Sequence, residues 1–379
     1  MYPKAYITSV GLITAFTKDF ENFINSKIPE RDKCSTDFFD LKNHSICNIS
    51  KDSLDISSKD SRIMGKHTLM LIKASEEAYK KTGFDRYNPE EIGYFSAIGM
   101  IDYENEDLLS AVIKSMKEGQ FDLQEFFKKG YREIYPLWPL SMLNNISLCQ
   151  SAIRLNIKGD NCVFTPHSDA SLHSINEAIW SISNNKSKVA LAGAVSEVIS
   201  PQSIARYILC NTNKSRVSSP EMPVDIYMAE GSVFFAIEGE TTENKKLASL
   251  SGFGASFGFD DVSGGVTEQA VKSSMYQACR GKKVDLVFTH YSRQQDSFNE
   301  ISAIKGIFGD DVEFVSTKSL IGDMLTCAGA FDCALAVSLL NDKMPVFING
   351  HVKEKKYNTI LINAFSVEGN VTSILVERV

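Results

Sequence analysis

The sequence predicts an α/β protein made of two halves that repeat one order of elements around a shared buried layer. Three stretches carry that reading. Residues 162–194, CVFTPHSDASLHSINEAIWSISNNKSKVALAGA, pass from an apolar run through Pro166 into a helical pattern of Leu172, Ile175, Ile179 and Ile182, then into Val189-Ala190-Leu191-Ala192. That is the β-α-β order of a parallel sheet. From Leu247 the chain repeats the order of its first half, ending in strand 314–316, a corner at Thr317-Lys318-Ser319 and a helix to Leu340. In that last helix Met324, Leu325, Cys327, Ala328, Ala330, Phe331, Ala334, Leu335 and Val337 leave almost no polar face, so it is expected to be buried on all sides. Ala328-Gly329-Ala330 is small enough for a facing helix to approach closely, and two related sheets packed on two central helices follow.

Taken in order, residues 6–15 open as a strand broken by Gly11, and residues 16–62 give few signals. Leu69, Leu71, Ile72, Ala74 and Ala78 predict a helix over 64–81, and Ile92 to Ile98 a buried strand. Tyr103 to Glu133 reads as mostly helical, with Leu109, Val112, Met116, Phe121, Leu123, Phe126 and Phe127 on a charged background. Ser232 to Ile237 is a strand, and the polar stretch 238–246 places a boundary between halves 1–245 and 246–379. In the second half, 247–257 is again a glycine-broken strand, 267–280 a helix and 284–289 a strand.

A hydrophobic share of 43% against 23% charge describes an ordinary globular chain, and a net charge of −7 argues against nonspecific nucleic-acid binding. Eight cysteines are scattered without a CxxC pair and read as reduced, buried small hydrophobes. Neither a signal-peptide core nor a span long enough to cross a bilayer is apparent, so a cytoplasmic location is expected. His167 and His173 have no cysteine or carboxylate at ligand spacing, and neither a metal nor a cofactor is expected.

The corner after residue 165 has chemical potential because helix amides and the macrodipole favour negative charge there. Ser168 or Asp169 is the expected N-cap. A serine hydroxyl is too weak an acid for a dipole to ionise, so Ser168 needs an adjacent base before it can attack anything.

Along nearly its whole length the chain resembles the β-ketoacyl-ACP synthases of the thiolase fold. The matching pieces, in the family's order, are YITSVGLITA (6–15), AIRLNIKGDN (152–161), the elbow at 163–172, KVALAGAVSE (188–197), THYSR (289–293), AIKGIFGD (303–310), STKSLIGDMLTCAGAFD (316–332) and NAFSVEGN (363–370). The resemblance implies a five-layer α-β-α-β-α fold of two duplicated halves. It also implies a reaction centre of one cysteine, two histidines and a lysine. Here the cysteine position holds Ser168, the first histidine survives as His290, the lysine as Lys318, and the second histidine is Asp323. Near the C-terminus Ser366-Val367-Glu368-Gly369 has lost two glycines, and Pro223-Val224-Asp225 runs almost directly into Glu230-Gly231.

Decarboxylating a malonyl thioester generates an enolate, which requires a hydrogen-bond donor close by. An ionised Asp323 offers only acceptors, and two unit charges about 4 Å apart repel by about 4 kcal/mol at an effective dielectric of 20, roughly a thousandfold in rate. Among family members the chain is therefore similar to the chain-length factor, or KSβ, of type II polyketide synthases. That resemblance implies a heterodimer with a catalytic ketosynthase (KSα), an acyl tunnel at the shared interface and a phosphopantetheine-bound chain on an acyl carrier protein. Met116, Gly119, Leu123 and Leu140 are the expected tunnel positions, and Lys214 and Arg216 a candidate carrier-docking patch. The competing reading is a serine-dependent acyltransferase or hydrolase using Ser168, His290 and Asp323 as a triad. A third is an inactive homodimeric scaffold.

Overall fold

Ten of the strands form one continuous sheet. The structure, a computed structural model, describes residues 2–26, 45–54, 64–103, 105–211, 227–260, 265–290 and 294–379. In chain order these strands are β1 (Ala5–Thr14), β2 (Ile92–Ile98), β3 (Asn161–Phe164), β4 (Val189–Val195), β5 (Gly231–Glu238), β6 (Ala248–Phe257), β7 (Leu286–Phe288), β8 (Glu313–Val315), β9 (Thr359–Phe365) and β10 (Asn370–Glu377). Across the sheet they lie in the order β8-β7-β9-β10-β6-β1-β5-β4-β2-β3. Counted from each outer edge inward, both halves read third, second, fourth, fifth, first. The two expected sheets are thus related by a pseudo-two-fold, and they are stitched edge to edge by three antiparallel pairs, Ala5–Leu250, Tyr6–Ser249 and Ile7–Ala248.

Besides two single-turn helices, Phe20–Phe23 and Trp138–Ser141, the α-helices of the described residues are α1 (Lys66–Lys80), α2 (Asn105–Lys114), α3 (Leu123–Lys128), α4 (Asn144–Leu155), α5 (Ser168–Ser183), α6 (Pro201–Asn211), α7 (Glu268–Cys279), α8 (Gln294–Phe308), α9 (Lys318–Ile321) and α10 (Ala328–Leu340). Helices α5 and α10 lie between the half-sheets and share the largest apolar core with both. Helix α1 covers the other face of the first half-sheet, and α7 that of the second, each over its own core. The layers therefore read α-β-α-β-α, the expected thiolase-like architecture.

Every residue of α10 is buried, as its apolar sequence requires. Gly329 is where it meets α5: a Cβ there would lie 2.6 Å from Ser171 Oγ and 3.2 Å from Leu172 Cδ2. The small residues at 328–330 thus permit a helix contact that a side chain would hold apart.

Three local expectations are corrected. The helix from the second corner to Leu340 is broken between α9 and α10, where Gly322 takes φ +100° and Leu325 φ +49°. Tyr103 to Glu133 is mostly helical, as expected, through α2, α3 and the 3-10 turn Gly130–Glu133, but the helices are interrupted. A two-residue hairpin pairs Met116–Lys117 with Gln120–Phe121 through Glu118 (φ +53°) and Gly119 (φ +81°), the paired positive φ angles of a type I′ turn. The N-cap of α5 is His167, which makes no side-chain cap bond, and Ser168 is already inside the first turn. Of the cysteines, Cys149 is exposed, against the expectation of burial, while Cys47, Cys279, Cys327 and Cys333 are buried.

Because Leu335 is fully buried in the shared layer, Leu335→Ala is expected to lower unfolding stability by about 2–5 kcal/mol. The exposed Tyr276→Ala is expected to stay within about 0.5 kcal/mol of the parent chain. Urea denaturation followed by circular dichroism, comparing midpoints at constant slope, checks both.

Candidate functional site

Strand ends on the two halves deliver the four expected site residues. Ser168 opens α5 just after β3, His290 lies two residues beyond β7, Lys318 opens α9 after β8, and Asp323 follows the glycine that ends α9. All four are buried. Pro166 ends β3, since a residue without an N–H cannot extend the ladder. Gly322 lets the chain reverse so that the next residue is pinned to the strand Tyr227–Ala229, with Ala229 N donating to Asp323 O at 2.9 Å.

Lys318 is the hub. Its Nζ lies 3.1 Å from Asp323 Oδ2, 3.1 Å from His290 Nδ1 and 3.3 Å from His290 Nε2. An ammonium has only donors, so it suits a neutral imidazole, which offers one acceptor nitrogen, and not an imidazolium. The other oxygen of Asp323 accepts from Leu325 N at 2.8 Å. The carboxylate is therefore held on both sides.

Sequence reasoning missed the residues that fix this hub. Glu300 on α8 accepts from His290 N at 3.0 and 2.9 Å, Asn363 Nδ2 donates to Glu300 at 2.8 Å, and Ser373 Oγ donates to Asn363 at 2.7 Å. Phe365 packs against the His290 ring at 4.9 Å between centroids. Asp332 on α10 accepts from Thr317 Oγ1 at 2.5 Å, and burial pushes its carboxyl up to about 7, against the lowering pull of Thr317 and Lys318. A lone acid on an otherwise apolar helix was the available signal for Asp332. Glu300, ten residues beyond His290 on a different element, left none.

Ser168 stands apart from the hub. Its Oγ is buried with no hydrogen-bond partner among the described residues, so no base acts on it in this geometry. The hydrolase triad of Ser168, His290 and Asp323 is not assembled here, because the serine hydroxyl is not bonded to the histidine and the lysine ammonium stands against both the ring and the carboxylate. Around Ser168, Thr326 Oγ1 donates to the Pro166 carbonyl, and His167 Nε2 faces Glu368 of the C-terminal turn at 3.7 Å. Burial pushes the Asp169 carboxyl up to about 6, opposed by the first-turn amides.

The expected repulsion by Asp323 is corrected as well. That figure assumed an uncompensated carboxylate, whereas Lys318 neutralises it. What the replacement removes is donors: the second histidine is gone and the lysine ammonium is engaged.

The expected tunnel positions are all on the surface of the single chain. Met116, Leu123 and Leu140 are 41%, 60% and 44% exposed, and Gly119 has nothing within 4 Å of where a Cβ would sit. Lys214 and Arg216, the segment 223–225 and residues 291–293 of the THYSR match lie outside the described residues. Among the described residues no cluster with metal-ligand geometry occurs and no helix is long and apolar enough to cross a membrane.

A family model, the β-ketoacyl synthase N-terminal domain, matches residues 26–235. The chain is 23% identical over 287 residues to 3-oxoacyl-[acyl-carrier-protein] synthase 2 of Coxiella burnetii, covering 66% of this chain and 69% of the relative. It is 27% identical over 288 residues to 3-oxoacyl-[acyl-carrier-protein] synthase 1 of Haemophilus influenzae, covering 66% and 70%. Among solved structures, a type II polyketide synthase acyl-carrier protein in complex with its ketosynthase bound to the hexaketide matches over 100% of both chains, with TM-score 0.75 and 18% identity. The ishigamide ketosynthase/chain length factor matches equally fully, with TM-score 0.75 and 14% identity.

The raised Asp332 carboxyl gives a pH signature. A carboxyl that binds its proton more tightly folded than unfolded loses stability as pH climbs from its unfolded value of 3.8 to about 7. Asp332→Asn is expected to flatten the fall in unfolding free energy across that window, and urea titrations at pH 4, 5.5 and 7 measure it.

Proposed function

Since this chain belongs to the β-ketoacyl synthase family, we propose that it acts as the non-condensing member of a ketosynthase pair, a chain-length factor. In this role it joins a catalytic ketosynthase and shapes the acyl tunnel at their common face, while an acyl carrier protein presents the growing chain. The observation that carries this reading is the state of the hub: Lys318 is held by Asp323, and Ser168 has no base. An enolate formed from a malonyl thioester would find one neutral histidine where the family's chemistry uses two.

The surface supports a partner. Met116, Phe121, Leu123, Leu137 and Leu140 are exposed on the segment between β2 and β3. A lone chain gains by covering an apolar surface of this kind. Strand β3 ends the sheet and leaves one ladder edge open for another chain. Exposed in the single chain, these residues become walls only when a second subunit covers them, which is what a tunnel at a shared interface requires. The similar ketosynthase/chain length factor pair has the same fold.

Two outcomes are expected. The purified chain should release no carbon dioxide from malonyl-ACP, and Ser168→Cys with Asp323→His should release it measurably, read as acetyl-ACP by mass spectrometry. Decarboxylation by the parent chain at the rate of a condensing synthase sinks the proposal. In a complex with a catalytic ketosynthase, Met116→Trp should shorten the products without dissociating the pair, checked by product mass and size-exclusion chromatography. Gly119 is unsuitable for that test, because its φ of +81° strains any side chain placed there.

A further inference from the structure

A second set of charges lies at the carboxyl ends of β2 and β4, apart from the Lys318 hub. Asp102 follows β2, Glu197 follows β4, and Arg206 is on α6. Arg206 Nη1 donates to Asp102 Oδ1 at 2.5 Å, and Nη2 donates to Asp102 Oδ2 at 3.2 Å and to Glu197 Oε2 at 2.7 Å. Ser200 Oγ donates to the same Asp102 Oδ2. The acidic side chains are 13% and 9% exposed, the arginine 32%, and its Nε is buried with no partner among the described residues.

This cluster adjoins the Ser168 corner. Gly99, the first residue past β2, has Glu197 Cγ 2.4 Å and Thr326 Oγ1 3.1 Å from where its Cβ would lie. Thr326 in turn donates to the carbonyl of Pro166, two residues ahead of Ser168. On the other flank Tyr207, beside Arg206, and Leu325, whose amide holds Asp323, pack on the same buried pair, Ile204 and Met228. Strands β3, β2 and β4 are parallel neighbours, and ligands of open α/β sheets lie outside such carboxyl ends.

We propose that Asp102, Arg206 and Glu197 are specificity-determining: they form a polar stop that bars saturated acyl chains from the carboxyl ends of β2 and β4 beside the Ser168 corner. The inference rests on the acyl-handling role proposed above and deepens it. A methylene chain pressed against a guanidinium bonded to two carboxylates gains little from burial and strips water from charges that hydrocarbon cannot replace. A shorter or oxygenated chain is not penalised in the same way. The long hydrocarbon must then lodge on the partner's side of the interface.

The test uses the full chain and a series of saturated acyl-pantetheines from four to sixteen carbons, with affinity read by isothermal titration calorimetry. Affinity for the parent chain should stay flat along the series. Asp102→Leu/Glu197→Met/Arg206→Met, which removes all three charges together so that none is left unpaired, should bind the sixteen-carbon probe at least tenfold more tightly than the parent does. A parent chain whose affinity climbs steeply with length overturns the proposal, as does a folded triple variant that gains nothing. If the variant does not fold, the parent series alone decides. Failure of the chain-length reading would appear instead as no complex with a ketosynthase on size exclusion, and leaves this series unaffected.

Discussion

The close approach of α5 and α10 at Gly329 is the constraint from which the site follows. Helix α5 begins at the corner after β3, α10 follows the corner after β8 by way of α9, and each corner delivers a residue that the family's chemistry would use. Were the helices held apart by a side chain at 329, Ser171 and Leu172 would move, and Ser168, one turn earlier, would move with them. The short ladder between β1 and β6 adds only three residue pairs. Registration of the halves therefore rests mainly on the packed central layer, where interiors tolerate little displacement. This explains how the reaction centre can change while the scaffold persists: the residues that align the corners are small and apolar, and none of the altered site residues is among them.

Within that frame the altered residues form a self-consistent set. A buried lysine requires a counter-charge, because an ammonium removed from water without one would lose its proton or destabilise the fold. Asp323 supplies it at 3.1 Å, and the backbone at Leu325 completes the carboxylate's bonding. The same pairing engages the ammonium that a developing enolate would need. In the proposed role, stabilising the hub and withholding its ammonium from an enolate are therefore one interaction seen from two sides. A serine at the neighbouring corner, with nothing among the described residues to accept its proton, agrees with the non-condensing role proposed above.

Much of this was legible before any coordinates. The β-α-β unit at 162–194, the repeat after Leu247 and the nearly all-apolar helix ending at Leu340 each depend on local pattern, which a sequence displays directly. The identities at 168, 290, 318 and 323 came from the resemblance. What stayed hidden depended on contacts distant in sequence: Glu300 and Asn363 are clamps that only folding brings to His290. The hairpin at 116–121 was misread because its apolar residues suit a helix face as well as a strand, and the Glu118-Gly119 turn was not weighed against that. The break at Gly322 was lost for a similar reason, since the apolar pattern continues across a glycine whose conformation the pattern does not record.

The two buried charge clusters obey one rule, and it bears on why neither can be read as an ordinary ion pair. Each has one cation and two acids: Lys318 with Asp323 and Asp332, Arg206 with Asp102 and Glu197. In each, burial pushes one carboxyl upward, Asp332 to about 7 and Glu197 in the same direction. A second acid in such surroundings is costly to ionise, and the burial that raises it is opposed by the neighbouring cation. Both clusters stay strongly polar although they are largely buried. Buried polar groups bonded to one another give a hydrocarbon chain nothing in exchange for the water it would displace. In the proposed role, that polarity defines where an acyl group can lie.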